Sequence, residues 1–247
     1  RARNIPTTSS LSSRNTLQRR APIFGMGSGI SIPVGRAVLG RVLSLFGETI
    51  DEYAKVAKKI DTLDAVHGIE LNISCPNVAK GGVVFGADPN LAADVTRVVR
   101  AATKKTLIVK LSPNYHNIPL MTKAVADAGA DAVSLINTIT GMAIDAEKRR
   151  PILANITGGL SGPAIKPVAL RMVWEASRIG LPVIGIGGIT NIADVIEFLL
   201  AGASAVQIGT ANFVHPMTAH NLIGELEKYL IAHKIKDVNE LVHGLIT

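Results

Sequence analysis

A chain of 247 residues that is 47% hydrophobic and 18% charged has the apolar material for one full core and is not a disordered polypeptide. No apolar run reaches the ~18 residues of a spanning helix, so a membrane protein is not expected, and one cysteine precludes an internal disulfide, which fits a reducing compartment. The net charge of +7 would point to nucleic acid or an anionic membrane, yet seven of the 26 basic residues (Arg1, Arg3, Arg14, Arg19, Arg20, Arg36 and Arg41) lie in the first 47 positions without any acid, and the other 19 balance the 19 acids.

In chain order, residues 1–21 are rich in Arg, Ser and Thr, the composition of an organellar transit peptide or of a basic arm. No aromatic residue interleaves the arginines, so nucleic-acid binding is not expected. The glycines at 25, 27, 29, 35 and 40 complete neither glycine-rich phosphate fingerprint, and residues 22–40 read as a flexible connection. Residues 42–46 are a candidate strand. From there the pattern is regular: a helix over 51–63 with Tyr53, Val56, Ala57 and Ile60 on one face, a strand over 68–74, a strand over 107–111 and a helix over 118–128. A strand over 132–136, a long excursion and a helix over 166–178 follow, then a strand over 182–186, a helix over 192–201, a strand over 205–208 and a helix over 219–232.

Strands and helices alternating at this spacing predict βαβ units and a parallel sheet. The joints Ala128-Gly-Ala-Asp-Ala and Ala201-Gly-Ala-Ser-Ala, each between a helix and a strand with glycine at the helix C-terminus, fit a (β/α) barrel. Five of these strands are clear and residues 42–46 are a candidate sixth, so a closed (β/α)8 TIM barrel needs two or three more, and they would have to come from the first 47 residues.

Barrel chemistry sits at the carboxyl ends of strands. The strand over 68–74 runs into Asn72-Ile-Ser-Cys75-Pro-Asn77. Cys75 is either an inert small residue or a nucleophile or base; Pro76 holds it extended, and Asn72 and Asn77 bring amides suited to a planar polar ligand. Lys110 lies among β-branched residues, so its ammonium either faces a polar barrel mouth or meets a carboxylate. Ile136-Asn137-Thr138 adds an amide and a hydroxyl, although Asn137 also reads as a turn residue. Gly162 in the excursion, Gly187-Gly188 and Gly209-Thr210 after the last two strands let backbone N–H groups approach a phosphate. A phosphate-bearing ligand is therefore expected. The six histidines (His67, His116, His215, His220, His233 and His243) lack metal-ligand spacing, and solvated or capping roles are expected for them.

Several long segments occur together: Glu70-Leu-Asn-Ile-Ser-Cys-Pro-Asn-Val, Val109-Lys-Leu-Ser-Pro-Asn, Ile136-Asn-Thr, the run from Arg150 through Leu170, and Ala201-Gly-Ala-Ser-Ala-Val-Gln-Ile-Gly-Thr-Ala-Asn-Phe. In this order they closely resemble the FMN-dependent dihydroorotate dehydrogenases of class 1, especially the catalytic subunit of the NAD-linked branch, 1B. The resemblance covers residues 46–247, read as a catalytic barrel domain, and leaves 1–45 as an atypical basic segment.

It implies that dihydroorotate stacks on FMN and is oxidised to orotate in pyrimidine (UMP) biosynthesis. Cys75 would take the C5 proton while hydride leaves C6 for the flavin. Asn72, Asn77, Asn137 and Thr138 match positions that hydrogen-bond orotate, Asn72 also being near the flavin. Lys110 matches the lysine at the flavin N1/O2 edge, and Ile136, Gly162, Gly187, Gly188, Gly209 and Thr210 match FMN contacts. The resemblance further implies a cytoplasmic homodimer within a heterotetramer, whose electron-transfer subunit carries FAD and a 2Fe–2S cluster and passes electrons to NAD.

Members of this family begin with two strands bearing an Ala-Ser-Gly flavin contact, a Lys-Ala/Thr-Thr segment and an Asn-x-x-Gly-Leu-x-Asn loop, none of which is recognisable before Leu45. An out-of-frame or mis-assembled first segment is the expectation, with weak or no turnover by the chain as it stands. Two alternatives stand beside the enzyme: a non-catalytic barrel remnant that at most binds FMN or the partner subunit, and a flavin barrel acting on another pyrimidine.

Overall fold

The structure, a computed structural model, describes residues 23–26, 30–33, 41–45, 49–73 and 85–246. The first described element is an antiparallel hairpin of β1 (Ile23–Met26) and β2 (Ile30–Pro33). There follow β3 (Arg41–Leu45), α1 (Ile50–Asp61), β4 (Val66–Asn72), α2 (Pro89–Ala102), β5 (Thr106–Lys110), α3 (Ile118–Asp127) and β6 (Ala132–Leu135). An excursion then carries four short strands, β7 (Ile139–Met142), β8 (Ile144–Asp145), β9 (Arg150–Pro151) and β10 (Thr157–Leu160). The chain continues through α4 (Lys166–Ser177), β11 (Val183–Ile186), α5 (Ile192–Leu200), β12 (Ala205–Gln207), the single turn α6 (Ala211–Val214) and α7 (Thr218–Ala232).

The main sheet has the spatial order β3, β4, β5, β6, β11, β12, and every neighbouring pair is parallel. Spatial order therefore follows chain order, with a helix in each connection. The helices pack neighbour to neighbour, α1 on α2, α2 on α3, α3 on α4 and α4 on α5, with α7 against α5. This is the expected α/β architecture, six successive strands of a (β/α) barrel wrapped by their helices. Among the described residues β3 and β12 are the two edges of the sheet.

Alternation along the strands separates packing from chemistry. On β4 and β5, Ile69, Leu71, Leu107 and Val109 are fully buried in the same core as Tyr53, Ile60, Val99, Met121 and Val125. Each such burial contributes about 1.5–3 kcal/mol. The intervening residues Glu70, Asn72 and Lys110 face the other way, into the barrel. Both anticipated helix–strand joints form hydrogen-bonded caps. Gly129 N donates to Ala126 O and Ala130 N to Val125 O, while Gly202 N donates to Leu199 O and Ala203 N to Phe198 O.

Three elements depart from the sequence reading. Residues 23–26 and 30–33 pair as antiparallel strands, two apolar runs that lie three residues apart in the sequence. Helix α2 lacked a place in that reading, although Asp88 caps it by accepting from Asn90 N at 2.8 Å and Pro89 begins it. The excursion folds on itself, β7 pairing with β10 and β8 with β9. Residues 1–21 lie outside the described residues.

Candidate active site

Parallel register brings the functional side chains of adjacent strands level. Asn72 stands opposite Lys110, and Lys110 opposite Ser134. Asn72 is buried; Tyr53 Oη donates to its carbonyl at 2.9 Å, and its Oδ1 accepts from Asn137 Nδ2 at 3.3 Å. Asn137 Oδ1 in turn accepts from Thr138 N at 2.8 Å. The amides of the first and third of these strand ends thus hold each other, and the Asn137 backbone is fixed by its N–H to Leu111 O at 3.2 Å.

Deeper in the barrel, Glu70 joins three more strands. Its Oε1 accepts from Ser134 Oγ at 2.8 Å and from Gln207 Nε2 at 3.0 Å, and its Oε2 lies 3.6 Å from Lys110 Nζ. Both sequence readings of Lys110 bear on its position, since its ammonium meets a carboxylate and the residue lines a cavity.

That cavity, about 350 Å3, lies at the carboxyl ends of β5, β6, β11 and β12 and is of the size of small-molecule sites. Lys110, Ile136, Asn137 and Thr138 line one part of it; Gly162, Gly187, Gly188, Gly209 and Thr210 line another. Thr210 Oγ1 donates to Ser161 Oγ at 2.8 Å, tying the end of β12 to the excursion. At Gly187 (φ +135°) an added Cβ would lie 2.8 Å from Ala169 Cβ, and at Gly188 (φ +75°) 2.9 Å from the Gly162 carbonyl oxygen. Only glycine allows this close approach of three chain segments. It leaves a rim of main chain that can take a bulky anion.

The nearest lysine to that rim is already neutralised. Lys166 Nζ donates to Asp194 Oδ1 at 2.6 Å and lies 2.7 Å from Glu197 Oε2. Asp194 Oδ2 also accepts from Thr190 N, Thr190 Oγ1 and Asn191 N, and Asn191 Oδ1 accepts from Asp194 N, closing a capping box on α5. Burial pushes the Asp194 carboxyl up, but the hydrogen bonds from Lys166, Thr190 and Asn191 outweigh it and hold it below the ordinary carboxylate value. The hydrogen bonds to Asp194 and Glu197 hold Lys166 above its own ordinary value.

Of the anticipated site residues, Asn72, Lys110, Ile136, Asn137, Thr138, Gly162, Gly187, Gly188, Gly209 and Thr210 gather around this cavity or one hydrogen bond from it. Cys75 and Asn77 lie outside the described residues. Sequence reasoning missed Glu70, Ser134, Gln207 and His215, the last two lining the cavity. Glu70 sits in a quoted motif, and a charged residue on an otherwise buried strand was the available signal. Among the described residues no group of three His, Cys, Asp or Glu side chains could hold a metal ion, and no helix is long and apolar enough to cross a membrane.

The family model described as dihydroorotate dehydrogenase matches residues 14–230, beginning well ahead of position 46, where the recognisable motifs start. The protein named dihydroorotate dehydrogenase B (NAD(+)), catalytic subunit, of Citrifermentans bemidjiense is 60% identical over 205 residues, 83% of this chain and 67% of the relative. Proteins of the same name are 58% identical over 205 residues in Geobacter sp. strain M21, covering 83% of this chain and 67% of the relative, and 60% identical over 207 residues in Geotalea uraniireducens, covering 83% and 68%.

Proposed function

The chain belongs to the dihydroorotate dehydrogenase family, and we propose that it oxidises dihydroorotate to orotate in pyrimidine biosynthesis, with FMN as the acceptor and with electrons passed to NAD through a partner subunit. The observation that carries this reading is the single cavity shared by Lys110, the Asn137-Thr138 pair and the glycine rim of Gly162, Gly187, Gly188 and Gly209. One part offers a cation and amides, the other closely approached main chain, as a flat polar ring system with a phosphate tail requires.

The roles follow from the chemistry each group can perform. Gly187, Gly188, Gly209 and Thr210 hold the FMN phosphate, and Gly162 and Ile136 flank the cofactor. Lys110 supplies positive charge at the ring edge where reduction places negative charge. Asn72, Asn77, Asn137 and Thr138 orient the planar substrate, the Asn72–Asn137 hydrogen bond fixing two of these amides before substrate arrives. Cys75 takes the proton from C5 as a general base. FMN, when bound, supplies the acceptor for the hydride that leaves C6. Loss of the C5 proton and the C6 hydride leaves the C5=C6 double bond of orotate, so the step balances.

The partner subunit, carrying FAD and a 2Fe–2S cluster, would complete a cytoplasmic heterotetramer built on a homodimer of this chain. The exposed apolar residues Met142, Ile144, Ile152, Leu153 and Ile156 on the excursion support a face covered by another chain. The test is orotate formation, followed by its near-ultraviolet absorbance, in FMN-loaded protein with an artificial electron acceptor in place of the partner. Orotate that requires both FMN and dihydroorotate is the expected result; none formed by a protein that holds FMN would contradict the proposal.

A further inference from the structure

Glu70 is 6% exposed and does not itself line the cavity, yet its carboxylate is tied to three other strands. A buried carboxylate is costly unless its oxygens are paired. Here the pairing is divided: Ser134 Oγ and Gln207 Nε2 both donate to Oε1, at 2.8 and 3.0 Å, while Oε2 lies 3.6 Å from Lys110 Nζ. The two neutral donors fix the plane of the carboxylate, and the plane fixes which oxygen faces the ammonium. Lys110 and Gln207 are both cavity-lining, so Glu70 touches the walls of the site from behind. Its position on β4, two residues before Asn72, puts it one layer deeper on the same inward face.

We propose that Glu70 is a positioning residue that holds the Lys110 ammonium against the cavity wall and, by offsetting its charge, sets how strongly the site prefers reduced, anionic FMN over the oxidised form. The redox half of the proposal rests on the cavity taking FMN; the positioning half does not. A lone ammonium at the ring edge favours the anionic form. A carboxylate 3.6 Å behind it turns the monopole toward a dipole and weakens that preference. Removing the carboxylate charge while keeping an acceptor therefore makes reduced FMN bind more tightly relative to oxidised FMN.

Two measurements on the full chain decide it. In FMN-loaded protein, Glu70→Gln is expected to raise the ratio of reduced to oxidised FMN affinity about tenfold, which is an upward shift of ~30 mV for a two-electron couple. Glu70→Asp stays near wild type, Lys110→Met shifts the potential downward, and adding Glu70→Gln to Lys110→Met changes it little, because the effect runs through the lysine. In FMN-free protein, reductive methylation read by peptide mass spectrometry is expected to modify Lys110 several-fold faster in Glu70→Gln than in wild type or Glu70→Asp. An unchanged or lowered potential in Glu70→Gln that still holds FMN overturns the redox half, and an unchanged Lys110 labelling rate overturns the positioning half. A wild-type chain that retains no FMN sinks the flavin reading together with the redox half, and labelling still decides the positioning half.

Discussion

The ammonium of Lys166 lies 2.6 Å from Oδ1 of Asp194, joining the first residue of α4 to the first turn of α5 directly beside the glycine rim of the cavity. The contact ties together the chain segments that approach one another at Gly162 and Gly188.

Replacing Asp194 by Ala removes one of the two carboxylate partners of Lys166 and three acceptor contacts at the start of α5. The expected loss is about 2–3 kcal/mol in urea unfolding, less than for a fully buried pair because Lys166 retains Glu197 at 2.7 Å. Glu197→Ala, at an exposed carboxylate, is expected to cost under about 1 kcal/mol. Equal losses for the two variants would contradict this assignment of the ion pair.

The same pair gives the stability a pH signature. The folded Asp194 pKa lies below its ordinary value of 3.8. Between the two values the unfolded chain binds the extra proton, so the stabilisation is complete above 3.8 and is lost as pH falls through the lowered folded value. Lys166, raised above 10.5, behaves oppositely; its contribution is complete below 10.5 and is lost as pH rises through the raised value. Urea midpoints of wild type and Asp194→Ala should differ at pH 7 and converge at the acid end. A gap that stays constant down to pH 2 would show that Asp194 is not the titrating group.

Gly188 and Gly209 make a controlled comparison. A Cβ at Gly188 meets the Gly162 carbonyl at 2.9 Å, whereas at Gly209 it meets nothing within 4 Å, and both residues line the cavity. Gly188→Ala should lower the melting temperature and weaken FMN binding together. Gly209→Ala should leave the melting temperature unchanged while weakening FMN binding, read by quenching of FMN fluorescence. Unaltered FMN affinity in both variants would remove the glycine rim from the cofactor site.

Cys75→Ala deletes the proposed base without altering the glycine rim. FMN affinity should stay within twofold of wild type while the rate of flavin reduction by dihydroorotate falls about 100- to 10,000-fold. An unchanged rate in stopped-flow absorbance would assign the C5 proton to another group.

The legibility of this fold differed by element for physical reasons. Strands β4, β5, β6 and β11 are short, largely buried apolar runs, and such runs stand out between amphipathic helices; the edge strands β3 and β12 are less covered but read as short apolar runs of the same kind. The excursion does not stand out, because Thr157–Leu160 contains two glycines and shows no alternation. Helix α2 carried both a start signal in Asp88-Pro89 and an apolar face at helical spacing in Ala92, Val95 and Val99, and neither was read. At the site, strand ends exposed Asn72, Lys110, Asn137 and the glycines because barrel topology alone brings such positions to one rim. The Glu70–Gln207 hydrogen bond spans 137 residues, and no local pattern connects two residues that only the curvature of the sheet brings together.

The central claim is that this cavity oxidises dihydroorotate with FMN, and its most direct test is a single anaerobic turnover. FMN-loaded protein is mixed with a small excess of dihydroorotate in the absence of any other electron acceptor, and the visible flavin band is followed to completion, so that the result does not depend on how fast the chain turns over. Bleaching of the band with one orotate formed per flavin is the predicted result. A band that persists in protein that holds FMN, but bleaches on adding dithionite, would contradict the account.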